Sequence, residues 1–150
     1  MIVSLKKLKK IVKNLKDKNK KIIFTNGCFD ILHLGHVRLL KKAKSLGDIL
    51  IVGLNTDSSI KKIKGPTRPI NSQKDRAEVL DSIKYVDYVV LFNEETPYKL
   101  ISEIKPHILV KGADYKLNDI VGRDIVSKVV RVKIVKNRST TSIINKIKNL

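Results

Sequence analysis

Two hydrophobic rhythms alternate along this chain. Ile2, Leu5, Leu8, Ile11, Val12 and Leu15 recur three or four apart with lysines between them. That spacing predicts an amphipathic helix over residues 2–16, with Ser4 as its N-cap. A polar connector, Asp17-Lys18-Asn19-Lys20, separates it from Lys21-Ile22-Ile23-Phe24, the start of a short buried strand over 21–26. Val37, Leu39, Leu40, Ala43 and Leu46 then return to helical spacing, predicting a helix from about 36 to 46. Residues 48–54, Asp-Ile-Leu-Ile-Val-Gly-Leu, are apolar almost without a break, the mark of a strand covered on both faces.

The alternation continues to the end of the chain. A short helix near 57–63 leads into Gly65-Pro66-Thr67-Arg68-Pro69, a loop by its composition. Asn71 or Ser72 caps a helix carrying Ala77, Leu80 and Ile83. A strand at 87–92, a helix at 97–104 with Pro97 in its first turn, and a strand at 107–111 follow. Residues 116–127 are ambiguous and partly helical; a last strand at 129–135 precedes a helix opened by Ser139-Thr140-Thr141. Strands alternating with helices imply an α/β fold, a doubly wound parallel sheet with right-handed crossovers. Residues 1–20 form a helix and connector packed on a domain spanning 21–150. Ligands of such sheets bind beyond the carboxyl ends of the strands.

Composition narrows the class. With 150 residues, 42% of them hydrophobic, the chain is long enough for one real core. No apolar run approaches a membrane span, no secretory signal is visible, and a single cysteine fits a reducing compartment, so a cytoplasmic protein is expected. The formal net charge of +18 invites a nucleic-acid reading. Against it, only six of the 32 basic residues are arginine, the lysines are spread evenly, and no aromatic RNA-binding motif is present. Abundant Lys, Ile and Asn also suit an A/T-rich coding sequence. Neither a specific nucleic acid nor a membrane is expected as a partner.

Five segments converge on the sheet's carboxyl edge. The first is Thr25-Asn26-Gly27-Cys28-Phe29-Asp30 leading into His33-Leu34-Gly35-His36, a strand-to-helix turn with the helix N-terminus at or next to His36. Unpaired N–H groups and the macrodipole make such a turn a phosphate site, and Gly27 and Gly35 let backbone approach a ligand. The others are Lys61, Lys62 and Lys64 ahead of Gly65; Arg68 and Arg76; Lys111-Gly112-Ala113-Asp114-Tyr115 at a strand end; and Asn137-Arg138-Ser139-Thr140-Thr141 at a second helix N-terminus. Each has an ordinary alternative. Three lysines together are nearly expected here, Arg76 has Glu78 or Asp81 to pair with, and Ser139 and Thr140 are common caps. Two histidines three apart are also half a zinc site, but only His107 and Cys28 remain to complete one, and no bound metal is assigned to side chains.

The pattern TNGCFDILHLGH resembles the HxGH signature of the cytidylyltransferase-like nucleotidyltransferases, and RSTTSIINKI resembles their second phosphate-binding motif. LNTD at 54–57, KGPTRPIN at 64–71, VKGADY at 110–115 and STTSII at 139–144 look most like the adenylyltransferase domain of the ADP-heptose synthesis enzyme; glycerol-3-phosphate cytidylyltransferase is the near relative. The resemblance covers about 21–147 and implies a Rossmann-like nucleotidyltransferase fold. It implies that His33 and His36 stabilise charge on the α-phosphate and departing pyrophosphate, with Lys64, or one of Lys61 and Lys62, drawing the two substrates together and Arg76 helping to hold phosphate. Thr25, Asn26, Gly27, Cys28, Phe29, Gly35, Lys111, Gly112 and Asp114 would border the nucleotide, and Ser139, Thr140 and Thr141 would close over its β- and γ-phosphates. Asp30, Lys61, Arg68 and Tyr115 would meet the sugar phosphate.

The implied reaction uses ATP with Mg²⁺ and joins AMP to D-glycero-β-D-manno-heptose 1-phosphate. The resemblance also suggests a homodimer and a separate sugar kinase supplying the acceptor. Two departures stand out: residues 121–138 are shorter than the family's usual strand and loop, and Lys136-Asn137-Arg138 lacks an expected glycine. Rival readings are CTP-dependent transfer to glycerol 3-phosphate, FMN adenylylation, a basic nucleic-acid-binding domain and a non-catalytic nucleotide binder.

Overall fold

A computed structural model describes residues 1–150. Five strands, β1 (Ile22–Gly27), β2 (Ile49–Asn55), β3 (Tyr88–Phe92), β4 (Ile108–Gly112) and β5 (Lys128–Val132), form one parallel sheet in the order β3-β2-β1-β4-β5. Chain order reverses between β1 and β4, so the crevice at their carboxyl ends is the ligand position for a sheet of this topology.

Side-chain alternation along the strands builds a core on each face. Ile22, Phe24, Ile51 and Leu109 pack on one side with Leu8 and Val12 of α1 (Leu5–Asp17) and with Leu100, Ile101 and Ile104 of α5 (Tyr98–Ile104). Ile23, Leu50, Val52, Ile108 and Val110 pack on the other with Leu40 and Ala43 of α2 (Leu34–Lys44) and Ala77 and Leu80 of α4 (Gln73–Asp81). Covered on both faces, β2 is buried from Leu50 to Asn55, which is why it reads as a continuous apolar run. Two further helices, α3 (Asp57–Lys64) and α6 (Thr140–Lys148), stand at the carboxyl edge.

Several boundaries differ from the sequence expectation. Ile2 fits the helical spacing of α1, but the helix starts after the Ser4 cap, and Ile2 instead makes a parallel bridge to Val89. The Val3 N–H donates to Val89 O and the Val89 N–H to Met1 O, so residues 1–3 cover the β3 edge. The partly helical expectation for 116–127 reduces to one 3₁₀ turn, Leu117–Asp119, and the last strand stops at Val132 rather than 135.

Candidate active site

Helix α2 begins earlier than the sequence suggests, and its caps are the histidines themselves. His33 is the N-cap, its Nδ1 accepting from the Gly35 N–H at 3.1 Å, while His36 Nδ1 accepts from the His33 N–H at 3.4 Å. Each side chain satisfies one of the orphan donors of the helix start, in the reciprocal arrangement of a capping box. The rings stack with centroids 3.8 Å apart, and Phe29, itself at φ +45°, leans on His36 at 5.1 Å. A Cβ on Gly35 would lie 2.9 Å from the His33 ring and 3.3 Å from Arg138 O, so the turn needs a glycine there.

This geometry fixes the chemistry of the imidazoles. An accepting Nδ1 carries no proton, so each neutral ring has its hydrogen on Nε2. Burial, then the neighbouring His33 and Lys64, hold His36 down at about 4, and burial also lowers His33. Both rings are neutral at pH 7 and present two Nε2–H donors to the cleft.

The cleft, about 570 Å³, lies at the carboxyl edge over β1 and β4. One wall is the β1 turn, with Thr25, Asn26, Gly27, Cys28, Phe29, His33, Gly35 and His36. Lys111, Gly112, Asp114 and Tyr115 at the end of β4 form the floor, and Ser139, Thr140 and Thr141 the wall opposite, with Lys64 at the rim. Ser139 caps α6 with Ser142 in a second capping box, and Thr140 Oγ1 donates to Ile31 O at 3.4 Å. Two helix N-termini thus open on one space, adding partial positive charge to five Lys and Arg side chains against a single carboxylate, Asp114. The expected glycine before α6 is replaced by Asn137, which takes the left-handed conformation at φ +58°. Asparagine is among the few other residues that adopt it readily.

Five of the charged residues singled out in the sequence, Lys61, Lys62, Asp30, Arg68 and Arg76, stand outside the cleft lining. Lys61 is exposed on α3. Asp30 is buried and accepts from the Ile70 and Asn71 N–H groups and from Arg68 Nε at 3.0 Å, clamping the 68–71 loop to the β1 turn. These bonds pull its carboxyl below the usual range despite the opposing effect of burial. Arg76 is 2% exposed and all three nitrogens of its guanidinium are engaged: it donates to Asn71 O, Cys28 O, Asn55 O and Asp57 Oδ1. Its partner is Asp57, not Glu78 or Asp81, and its reach is to the backbone behind the site rather than to the cleft. Conversely, Lys133 and Lys136 line the cleft but escape notice in a lysine-rich sequence; their only signal is their place between the last strand and the α6 cap.

Comparison with known proteins agrees with this geometry. The cytidylyltransferase-like family model matches residues 24–148. The bifunctional protein HldE of Aliarcobacter butzleri is 56% identical over 97% of this chain, and that of Wolinella succinogenes 53% over the same share. HldE of Campylobacter jejuni serotype O:2 is 58% identical over 90% of the chain. The chain spans 29–31% of the length of these relatives. A lipopolysaccharide core biosynthesis protein from Thermoplasma volcanium superposes with a TM-score of 0.66 at 33% identity, covering 78% of this chain and 99% of its own. Pantoate-beta-alanine ligase from Francisella tularensis shares the fold, with a TM-score of 0.70 over all of this chain and 78% of its own, at 24% identity.

Proposed function

The chain belongs to the cytidylyltransferase-like family, and from that premise we propose that it transfers AMP from ATP to D-glycero-β-D-manno-heptose 1-phosphate, giving ADP-heptose and pyrophosphate. The observation that carries the reaction class is the paired, neutral imidazoles with their Nε2–H donors set between two helix N-termini. The choice of sugar and base is supported by the motifs shared with the adenylyltransferase domain of the ADP-heptose synthesis enzyme. The 53–58% identity to HldE proteins and the fold shared with a lipopolysaccharide core biosynthesis protein support it further.

The acceptor's phosphate is ionised near pH 7, so no general base is required. One of its oxygens bonds to the α-phosphorus as the bridge to the β-phosphate breaks, and pyrophosphate leaves with that bond's electron pair. Catalysis then consists of positioning and electrostatics. His33 and His36 donate to the oxygens that gain charge, while the α6 N-terminus with Ser139, Thr140 and Thr141 receives the β- and γ-phosphates. Lys64 neutralises charge at the cleft rim. Magnesium ordinarily takes one or two carboxylates besides phosphate oxygens and water, and one carboxylate is what this cleft offers. The residues therefore fit an ion that arrives on the triphosphate, where it supplies charge neutralisation. We place the reaction in the cytoplasm, where nucleoside triphosphate is available.

Pyrophosphate release tests the proposal, with ATP and CTP each paired with the heptose phosphate and with glycerol 3-phosphate. Release with ATP and the heptose phosphate alone is expected. Release with CTP and glycerol 3-phosphate alone would overturn the named reaction while keeping its class, and silence in every pairing would count against catalysis.

A further inference from the structure

Lys111 is the one cation of the cleft that is nine-tenths buried, 9% exposed at the carboxyl end of β4. No carboxylate or carbonyl in the protein accepts from its Nζ within hydrogen-bond distance; the Nζ stands over the Tyr115 ring, 5.2 Å from its centroid. The Lys111 stem is buried while its Nζ keeps access to the cleft, the side from which an acceptor can come. Burial lowers Lys111 to about 8, against the opposing pull of Cys28 and Asp114, so it still carries its charge at neutral pH.

We propose that Lys111 is the anchor of the acceptor subsite, binding the phosphate that attacks the α-phosphorus, with Asp114 and Tyr115 beside it to receive the attached polyol or sugar. The division of the cleft supports this. The triphosphate has its donors at the two helix N-termini, on the β1 and α6 walls. The β4 floor offers a different set within five residues: a cation, a carboxylate that accepts from hydroxyl groups, and an aromatic ring 49% exposed. A triphosphate has no use for the carboxylate or the ring, whereas a phosphorylated sugar presents an anion, hydroxyls and an apolar ring face together. Gly112 belongs to the same arrangement, since a Cβ there would stand 2.5 Å from Asp114 Oδ1 and displace the carboxylate.

This assignment rests on the transferase reading, so the test separates the two. The nucleotide site is filled with an ATP analogue carrying a methylene group between the α- and β-phosphorus, which blocks transfer. The wild type, Lys111→Met and Lys111→Arg are then titrated calorimetrically with inorganic phosphate and with D-glycero-β-D-manno-heptose 1-phosphate. Methionine keeps the length and suits the buried stem, and thermal melting reports that the fold is retained. Lys111→Met is expected to weaken both ligands about tenfold or more, the worth of one hydrogen bond to a charged group. The analogue's affinity should stay within about twofold, and Lys111→Arg should keep part of the phosphate binding. Equal weakening of the analogue, unchanged phosphate binding in Lys111→Met, or no phosphate binding to the loaded wild type would each overturn the subsite. Phosphate binding that depends on Lys111 while the heptose phosphate fails to bind would retain the subsite and overturn the proposed sugar.

Discussion

At the scale of single residues, His36 holds together requirements that usually fall on separate groups. Its Nδ1 secures the backbone of the helix start, which leaves its Nε2–H free in a residue that lines the cleft. His36→Ala should therefore lower kcat by about 10²–10³, the usual cost of removing one donor to a developing oxyanion, with the fold retained by circular dichroism. The same ring makes stability depend on pH. Its proton affinity is depressed from an ordinary imidazole's 6.5 to about 4 in the folded protein. Between those values the unfolded chain binds the extra proton, so stability rises with pH across this window and is lost as pH falls through it. Denaturant midpoints taken from pH 7 down to 4 should decline in the wild type and decline less steeply in His36→Ala. No residue-type rule exposes the capping role of His33 beforehand, because cap preferences favour Ser, Thr, Asp and Asn. The motif is legible in the sequence; the tautomer follows only from the backbone geometry around it.

Elements carry the second lesson, through Arg76. It belongs to α4, yet its guanidinium ties the end of β1 at Cys28, the end of β2 at Asn55, the first turn of α3 at Asp57 and the approach to α4 at Asn71. Arg76→Leu would leave those acceptors and the Asp57 charge without their partner, at a cost of about 3–5 kcal/mol, readable by urea unfolding. Activity should fall with it, since the Cys28 carbonyl lies in the turn that carries the imidazoles. An exposed phosphate-binding arginine would show the opposite pattern, with weakened ATP binding and unchanged stability. Strand and helix order is readable from periodicity because burial on two faces leaves a strong imprint, as in β2. Ile2 misleads because a residue three positions before Leu5 fits a helix equally well, and only the Val89 bridge decides. The part played by Arg76 is hidden for a related reason: nothing local distinguishes an arginine that folds inward from one that points to solvent.

For the molecule as a whole, a formal charge of +18 surrounds a cleft lined by five Lys and Arg side chains. A field of one sign raises the encounter rate with an anion and is screened by salt over about 8 Å at physiological ionic strength. We expect kcat/KM for ATP to fall steadily as NaCl is raised, with kcat nearly constant, because the long-range field acts on encounter while the bound triphosphate is held at short range. A parallel fall in kcat would place the effect of salt inside the site. Much of this charge lies on surfaces remote from the cleft, such as the exposed lysines of α1.

The two walls of the cleft are fastened very differently. On one side the Asp30 carboxylate grips the 68–71 loop and Arg76 binds four backbone and side-chain oxygens behind the turn. On the other, α6 contributes no fully buried side chain and meets the β1 turn through the 3.4 Å contact from Thr140 to Ile31. Segments with few buried apolar contacts open at the lowest free energy. Under the proposed reaction the firmly held wall would serve as an anvil and α6 as a latch, and amide hydrogen exchange is expected to run faster along α6 than through the β1 turn.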